Sequence, residues 1–158
     1  MTNTFSVLDL STDDSTLVLS AQYNFPIDRV FSAWLDPEAL MHWIKPNPSC
    51  NIEILEFEPR VEGAFRINMI MDEGIFGYSG VMKVIDAPNR IEMTWQWDWS
   101  EDEEPYPETY LTVQCDEIDG GTRLTLTHER MRSVESRDSH SEGWTGSLTA
   151  LSEYLEAA

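Results

Sequence analysis

The chain is short of the residues that usually announce chemistry. Of 158 residues only Cys50 and Cys115 are cysteine, too few for a disulfide scaffold, and two buried thiols in a reducing cytoplasm is the reading they support. Histidine is scarce as well. His42, His128 and His140 fall into no His-x-x-x-His or Cys-x-x-Cys spacing, so neither a metal nor a resident cofactor is expected. The run Glu101-Asp102-Glu103-Glu104 is rich in oxygen but lacks the spaced ligands and turn glycine of a calcium loop, and reads as a solvated loop. There is no Gly-x-Ser-x-Gly and no phosphate-cradling glycine loop. Cys50 follows Pro46-Asn47-Pro48-Ser49 with no evident activating base.

Long apolar runs are missing too. Nothing approaches the ~20 residues a bilayer-spanning helix requires. The opening MTNTFSVLDLSTDDS has neither a basic n-region nor a continuous apolar core, so a cytoplasmic protein without a secretory signal or a membrane partner is expected. Basic charge is the scarcest resource. Lys45 and Lys83 are the only lysines, and ten Lys plus Arg stand against 29 Asp plus Glu for a net charge of −19. Such a surface repels phosphate backbones, which excludes nucleic acid as a natural partner.

What is present is patterned. The 41% of hydrophobic residues is spread along the chain without repeat or flexible linker. One domain over 1–158 is expected, with an ordered core from about 16 to 156. Thr16 to Phe25 reads as a strand that Pro26 ends. Ile27, Val30, Phe31, Trp34 and Leu35 then form one helical stripe. Asp36-Pro37 opens a second short helix carrying Leu40, Met41 and Trp43. From Asn51 the period changes to two. Strands are expected at 51–57, where Leu55 is out of step, and at 64–71, 76–85, 91–99, 107–115 and 122–130. Asp119-Gly120-Gly121 marks the last hairpin. Ser139-x-x-Glu142 matches a capping box, with a helix start there or a few residues earlier, and His140, Trp144, Leu148, Leu151 and Leu155 give a final helix one apolar face suited to cover the sheet.

Several of these segments carry a family pattern in order. Phe31-x-Ala33-Trp34-x-Asp36-Pro37-Glu38 is followed by Trp43, Pro46, Glu62-Gly63-x-Phe65 and Tyr78-x-Gly80-x-Met82. Then come Pro88-x-Arg90-Ile91, Thr94-Trp95, Gly120-Gly121-Thr122-x-Leu124-x-Leu126-x-His128 and His140-x-x-Gly143-Trp144. The sequence resembles the activator of heat-shock protein 90 ATPase homologue family. The resemblance implies an α+β, START-like helix-grip fold: a curved seven-stranded antiparallel sheet around a long C-terminal helix, two short helices after the first strand, and a cavity between. It implies no catalytic residues, since the shared positions read as scaffold. A chaperone contact is the partner the family name brings to mind, and no residue here speaks for it.

Side chains alternate along a strand, so Ile91, Met93, Trp95, Trp97 and Trp99 point one way. Each indole covers on the order of 200 Å² when buried, and three together in water would make an unusually large exposed patch. They are core, cavity wall or partner surface. Phe65, Ile67 and Met69 share a parity, as do Tyr78 and Met82, and His128 falls in with Leu124 and Leu126. With Trp144 and Leu148 from the helix, these residues are the candidate wall for a small apolar ligand. His128 reads as a satisfied core histidine or, alternatively, as the inward acid–base group of a cyclase- or hydrolase-type enzyme. The open edges of such a sheet also invite a homodimer.

Overall fold

The computed structural model describes residues 5–98 and 106–158. The period-two segments form one antiparallel sheet, and the helical stripes pack on its concave side. The strands are β1 (Val7–Asp9), β2 (Leu17–Tyr23), β3 (Asn51–Phe57), β4 (Ala64–Met71), β5 (Gly74–Asp86), β6 (Arg90–Trp97), β7 (Thr109–Ile118) and β8 (Gly121–Glu129). Their order across the sheet is β1-β2-β8-β7-β6-β5-β4-β3. Two short helices, α1 (Ile27–Ser32) and α2 (Pro37–Trp43), follow β2, and α3 (Val134–Ala157) closes the chain. This is the helix-grip fold.

Eight strands rather than seven make the sheet. The addition is β1, three residues pairing Val7 to Asp9 with Ala21 to Leu19 at one edge. So short a segment shows no alternation to read, and only its pairing with β2 defines it. The phase problem at Leu55 is resolved by a bulge. The register with β4 shifts between Ile54 and Glu56, which puts Leu55 out at 53% exposure while Ile52 stays inside. The last hairpin turns on two residues, Asp119 and Gly120, because Ile118 pairs with Gly121; Gly120 takes the positive φ of 85° that this turn requires.

The helix starts also follow local chemistry. Asp36 caps α2, its side chain accepting from the Glu38 N–H at 3.0 Å with Pro37 behind it. The α1 stripe stops sooner than its periodicity predicts: regular helix ends at Ser32, and Trp34 and Leu35 continue in single turns. Helix α3 begins at the earlier of the expected starts, six residues before Ser139 of the capping box. Ser133 is the cap, its hydroxyl accepting from the Ser136 N–H at 3.0 Å. Nothing between Ser133 and Ser139 breaks a helix, so the Ser139–Glu142 match falls inside it.

Where α3 lies decides the rest. Its closest backbone approaches are to α2, β2 and β1, not to β4, β5 or β6. The Tyr23 hydroxyl ties it to β2 by donating to the Leu148 carbonyl at 2.9 Å. Gly146 brings the segment after α2 against it, since a Cβ there would come within 1.9 Å of the Pro46 carbonyl oxygen. The helix is thus drawn to one side of the concave face, and a gap opens on the other.

Candidate functional site

That gap is a cavity of about 720 Å³ between β4–β6 and the first half of α3. The sheet supplies Met69, Met71, Phe76, Tyr78, Trp95 and Trp97; the helix supplies Ser136, Ser139, His140, Gly143, Trp144 and Ser147. Ile44, Pro46 and Asn47, from the end of α2 and the segment after it, and Tyr106 and Arg132 complete the lining. Sheet residues reach in because alternation turns them to the concave face. Helix residues leave room because those on that stripe are mostly serine or glycine.

The aromatic wall is a connected stack. The Tyr78 ring lies on Trp95 at 4.5 Å, and Trp97 meets Trp95 edge to face at 4.8 Å. Trp95 also meets His128 at 5.2 Å and His140 at 5.6 Å, and the two imidazoles meet each other edge to face at 5.2 Å, so the three rings pack as a triangle.

Those imidazoles have defined and opposite tautomers. Trp144 donates its indole N–H to His128 Nδ1 at 3.1 Å, so Nδ1 is the bare nitrogen. His128 Nε2–H then donates to Thr109 Oγ1 at 2.7 Å, and the Thr109 hydroxyl donates on to the Trp95 carbonyl. In His140 the roles reverse. Trp97 donates to Nε2 at 2.9 Å, which leaves Nδ1–H to donate to the Ser136 carbonyl at 2.7 Å. Both rings are neutral. Burial pushes the His128 ionisation well below the ordinary histidine value, and the neighbouring His140 adds to that; burial lowers His140 also, partly offset by its bond to Ser136.

Tyr78 differs from both. It is 3% exposed, yet its hydroxyl has no hydrogen-bond partner among the described residues. Burial, with a smaller contribution from Cys50, holds its ionisation well above that of an ordinary phenol, so it remains a donor.

The eleven expected wall residues separate into layers. Met69, Tyr78, Trp95, Trp97 and Trp144 line the cavity. Phe65, Ile67 and Met82 lie deeper, around a void of about 20 Å³ that shares Tyr78, Trp95 and Trp144 with the cavity. His128 and Leu148 are fully buried and line neither space. Trp99 lies outside the described residues. Among the residues that sequence reasoning passed over, His140 was assigned to an apolar helix face. The signal was nearby: Ser136, His140, Gly143 and Ser147 continue the Trp144–Leu148 stripe with side chains too small or too polar to fill it.

The arrangement of sheet and helices has relatives. The model of the activator of Hsp90 ATPase homolog 1-like protein family matches residues 24–156. The chain belongs to this family. Solved structures of similar bacterial proteins share its fold. A Rhodobacter sphaeroides protein is 21% identical with a TM-score of 0.81, covering 97% of this chain and 99% of that one. A Chromobacterium violaceum protein is 23% identical with a TM-score of 0.79, covering 88% and 96%. The AHSA1 protein of Silicibacter pomeroyi is 23% identical with a TM-score of 0.77, covering 90% and 99%. At these identities the likeness carries the fold of the Hsp90-activator homologue family and no activity. No curated protein matches the chain.

Proposed function

We propose that this member of the family binds a small, largely apolar molecule in the cavity between β4–β6 and α3. The observation that carries the reading is a space of about 720 Å³ walled by Trp95, Trp97, Phe76, Met69 and Met71. Ligand cavities fall in a range of roughly 300–1,000 Å³, with apolar walls and a few polar groups that fix orientation. Tyr78 is such a group. The two thioethers adapt to varied ligand shapes.

Binding is favoured over turnover by the state of the imidazoles. His128, the acid–base candidate, has both nitrogens committed and does not line the cavity. His140 lines it, but its lone pair is taken by the Trp97 N–H. Both thiols are buried and free, which suits a reducing cytoplasm.

The test is to incubate the protein with a pool of hydrophobic metabolites, then record native mass and tryptophan emission. An added mass with a shifted emission is expected. Ser139→Phe, which fills the cavity from the helix side, should abolish both while leaving the fold intact. No adduct and no shift for the unmodified protein would sink the reading.

A further inference from the structure

We propose that the ligand is an organic cation, an amine or quaternary ammonium on an apolar body; this rests on the cavity being a binding site. Three carboxylates, Glu73, Glu135 and Glu142, line the mouth, and none has an ion-pair or hydrogen-bond partner among the described residues. Among the described residues the lining holds one Lys or Arg, Arg132, whose guanidinium lies 3.9 Å over the Tyr106 ring.

Two other sources of positive potential have to be weighed. The N-terminus of α3 carries the equivalent of about half a charge, but Ser133 already caps it and Glu135 sits in its first turn. His140 is neutral, and its acceptor nitrogen receives the Trp97 N–H. The local balance is therefore negative, and it lies within a chain of net charge −19 that draws cations to any cleft. An amphipathic anion would have to enter against all of this.

The wall beneath the mouth suits the same class. Indole faces attract cations through their ring quadrupole, and Trp is the strongest of the aromatic residues at this. Trp97 is half-buried on that wall, 4.8 Å from the buried Trp95. At the inner end Tyr78, a residue 3% exposed, lines the cavity with a hydroxyl that no protein group among the described residues engages, so it is open to water or to a ligand there. An apolar body with a positive head at the mouth and a hydrogen-bond acceptor at its inner end meets each requirement.

The experiment uses three compounds with one carbon skeleton: 4-phenylbutylamine, 4-phenylbutanol and 4-phenylbutyrate. Each is titrated into the intact protein by calorimetry at low and at high salt. The amine should bind about tenfold more tightly than the carboxylate, since exposed ion pairs each add only a modest increment. The alcohol should fall between, and the spread should shrink at high salt. In the triple variant Glu73→Gln, Glu135→Gln, Glu142→Gln, amine affinity should fall to that of the alcohol while alcohol affinity is unchanged. A carboxylate that binds as well as the amine, or a preference that survives the triple variant, overturns the cation assignment and leaves the cavity reading standing. Failure of all three compounds, the alcohol included, overturns both.

Discussion

Where α3 packs on β2, Leu148, Leu151 and Leu155 enter a core with Leu17, Leu19, Leu124 and Leu126 in which no side chain is more than 2% exposed. Where the same helix passes β4 to β6, Ser136, Ser139 and Gly143 look across about 720 Å³ at Met69, Phe76 and Trp97. One helix and one sheet build both regions. Branched aliphatic side chains from both sides interdigitate and leave no room; small side chains opposite long unbranched or flat ones do not. Protein interiors close-pack by default, and an unfilled apolar space forfeits dispersion contacts along its lining. The difference therefore separates scaffold from site without reference to any catalytic residue.

The first way to test the contrast is a matched truncation. Leu151→Ala, in the filled half, should lower unfolding free energy by about 3 kcal/mol in urea denaturation, because a closed core collapses poorly around a new hole. Met69→Ala, on the open wall, should lower it by about 1 kcal/mol, since much of that side chain already faces empty space. Equal losses would erase the distinction between the halves.

The paired indole–imidazole bonds offer a second comparison. Trp144→Phe strands the fully buried His128 Nδ1 away from water and should reduce stability by about 2 kcal/mol. Trp97→Phe frees His140 Nε2 beside the cavity, where water can replace the lost donor, so a loss under about 1 kcal/mol is expected. If the Trp97 variant proved the weaker of the two, the cavity would not be admitting solvent at His140.

The smallest effect is in pH. The unfolded chain protonates its histidines below about pH 6.5, whereas His128 and His140 resist protonation in the fold. The unfolded state then binds more protons. The stability these groups contribute is fully present above about pH 6.5 and is lost as pH falls toward their folded values, by up to about 1.4 kcal/mol per unit for each. Urea midpoints measured from about pH 7 down to about pH 5, above most carboxylate titration, should fall, and His140→Gln should make that fall shallower. A flat profile would mean that both rings protonate as readily in the fold as in the unfolded chain.

Much of this was legible in the sequence, for reasons particular to each residue. The inward set Ile91, Met93 and Trp95 followed from alternation, because a strand with one buried face cannot slip by a residue without turning that face out. Leu55 announced its bulge as a break in phase. Asp36-Pro37 named its helix start by chemistry alone. The strand β1 escaped because three residues carry no periodicity. The start of α3 was left open between Ser139 and a few residues before it, and the earlier start holds because Ser-x-x-Glu signals a cap only where the chain before it is not already helical. The limits of the cavity escaped for a different reason. They depend on α3 lying toward β2 and α2, an offset set by Tyr23 and Gly146, and no local pattern encodes it. The Trp97–His140 bond spans 43 residues and was invisible for the same reason.

The serine and glycine stripe on α3 has one more consequence. The space is shaped by what the helix withholds, while the sheet, the two short helices and the buried half of α3 hold the fold. Positions 136, 139, 143 and 147 are then free to drift or be redesigned one at a time, each changing the outline of the chamber from a surface that bears little of the structural load. A scaffold of this kind can acquire new specificities by single substitutions on one helix, without passing through unfolded intermediates.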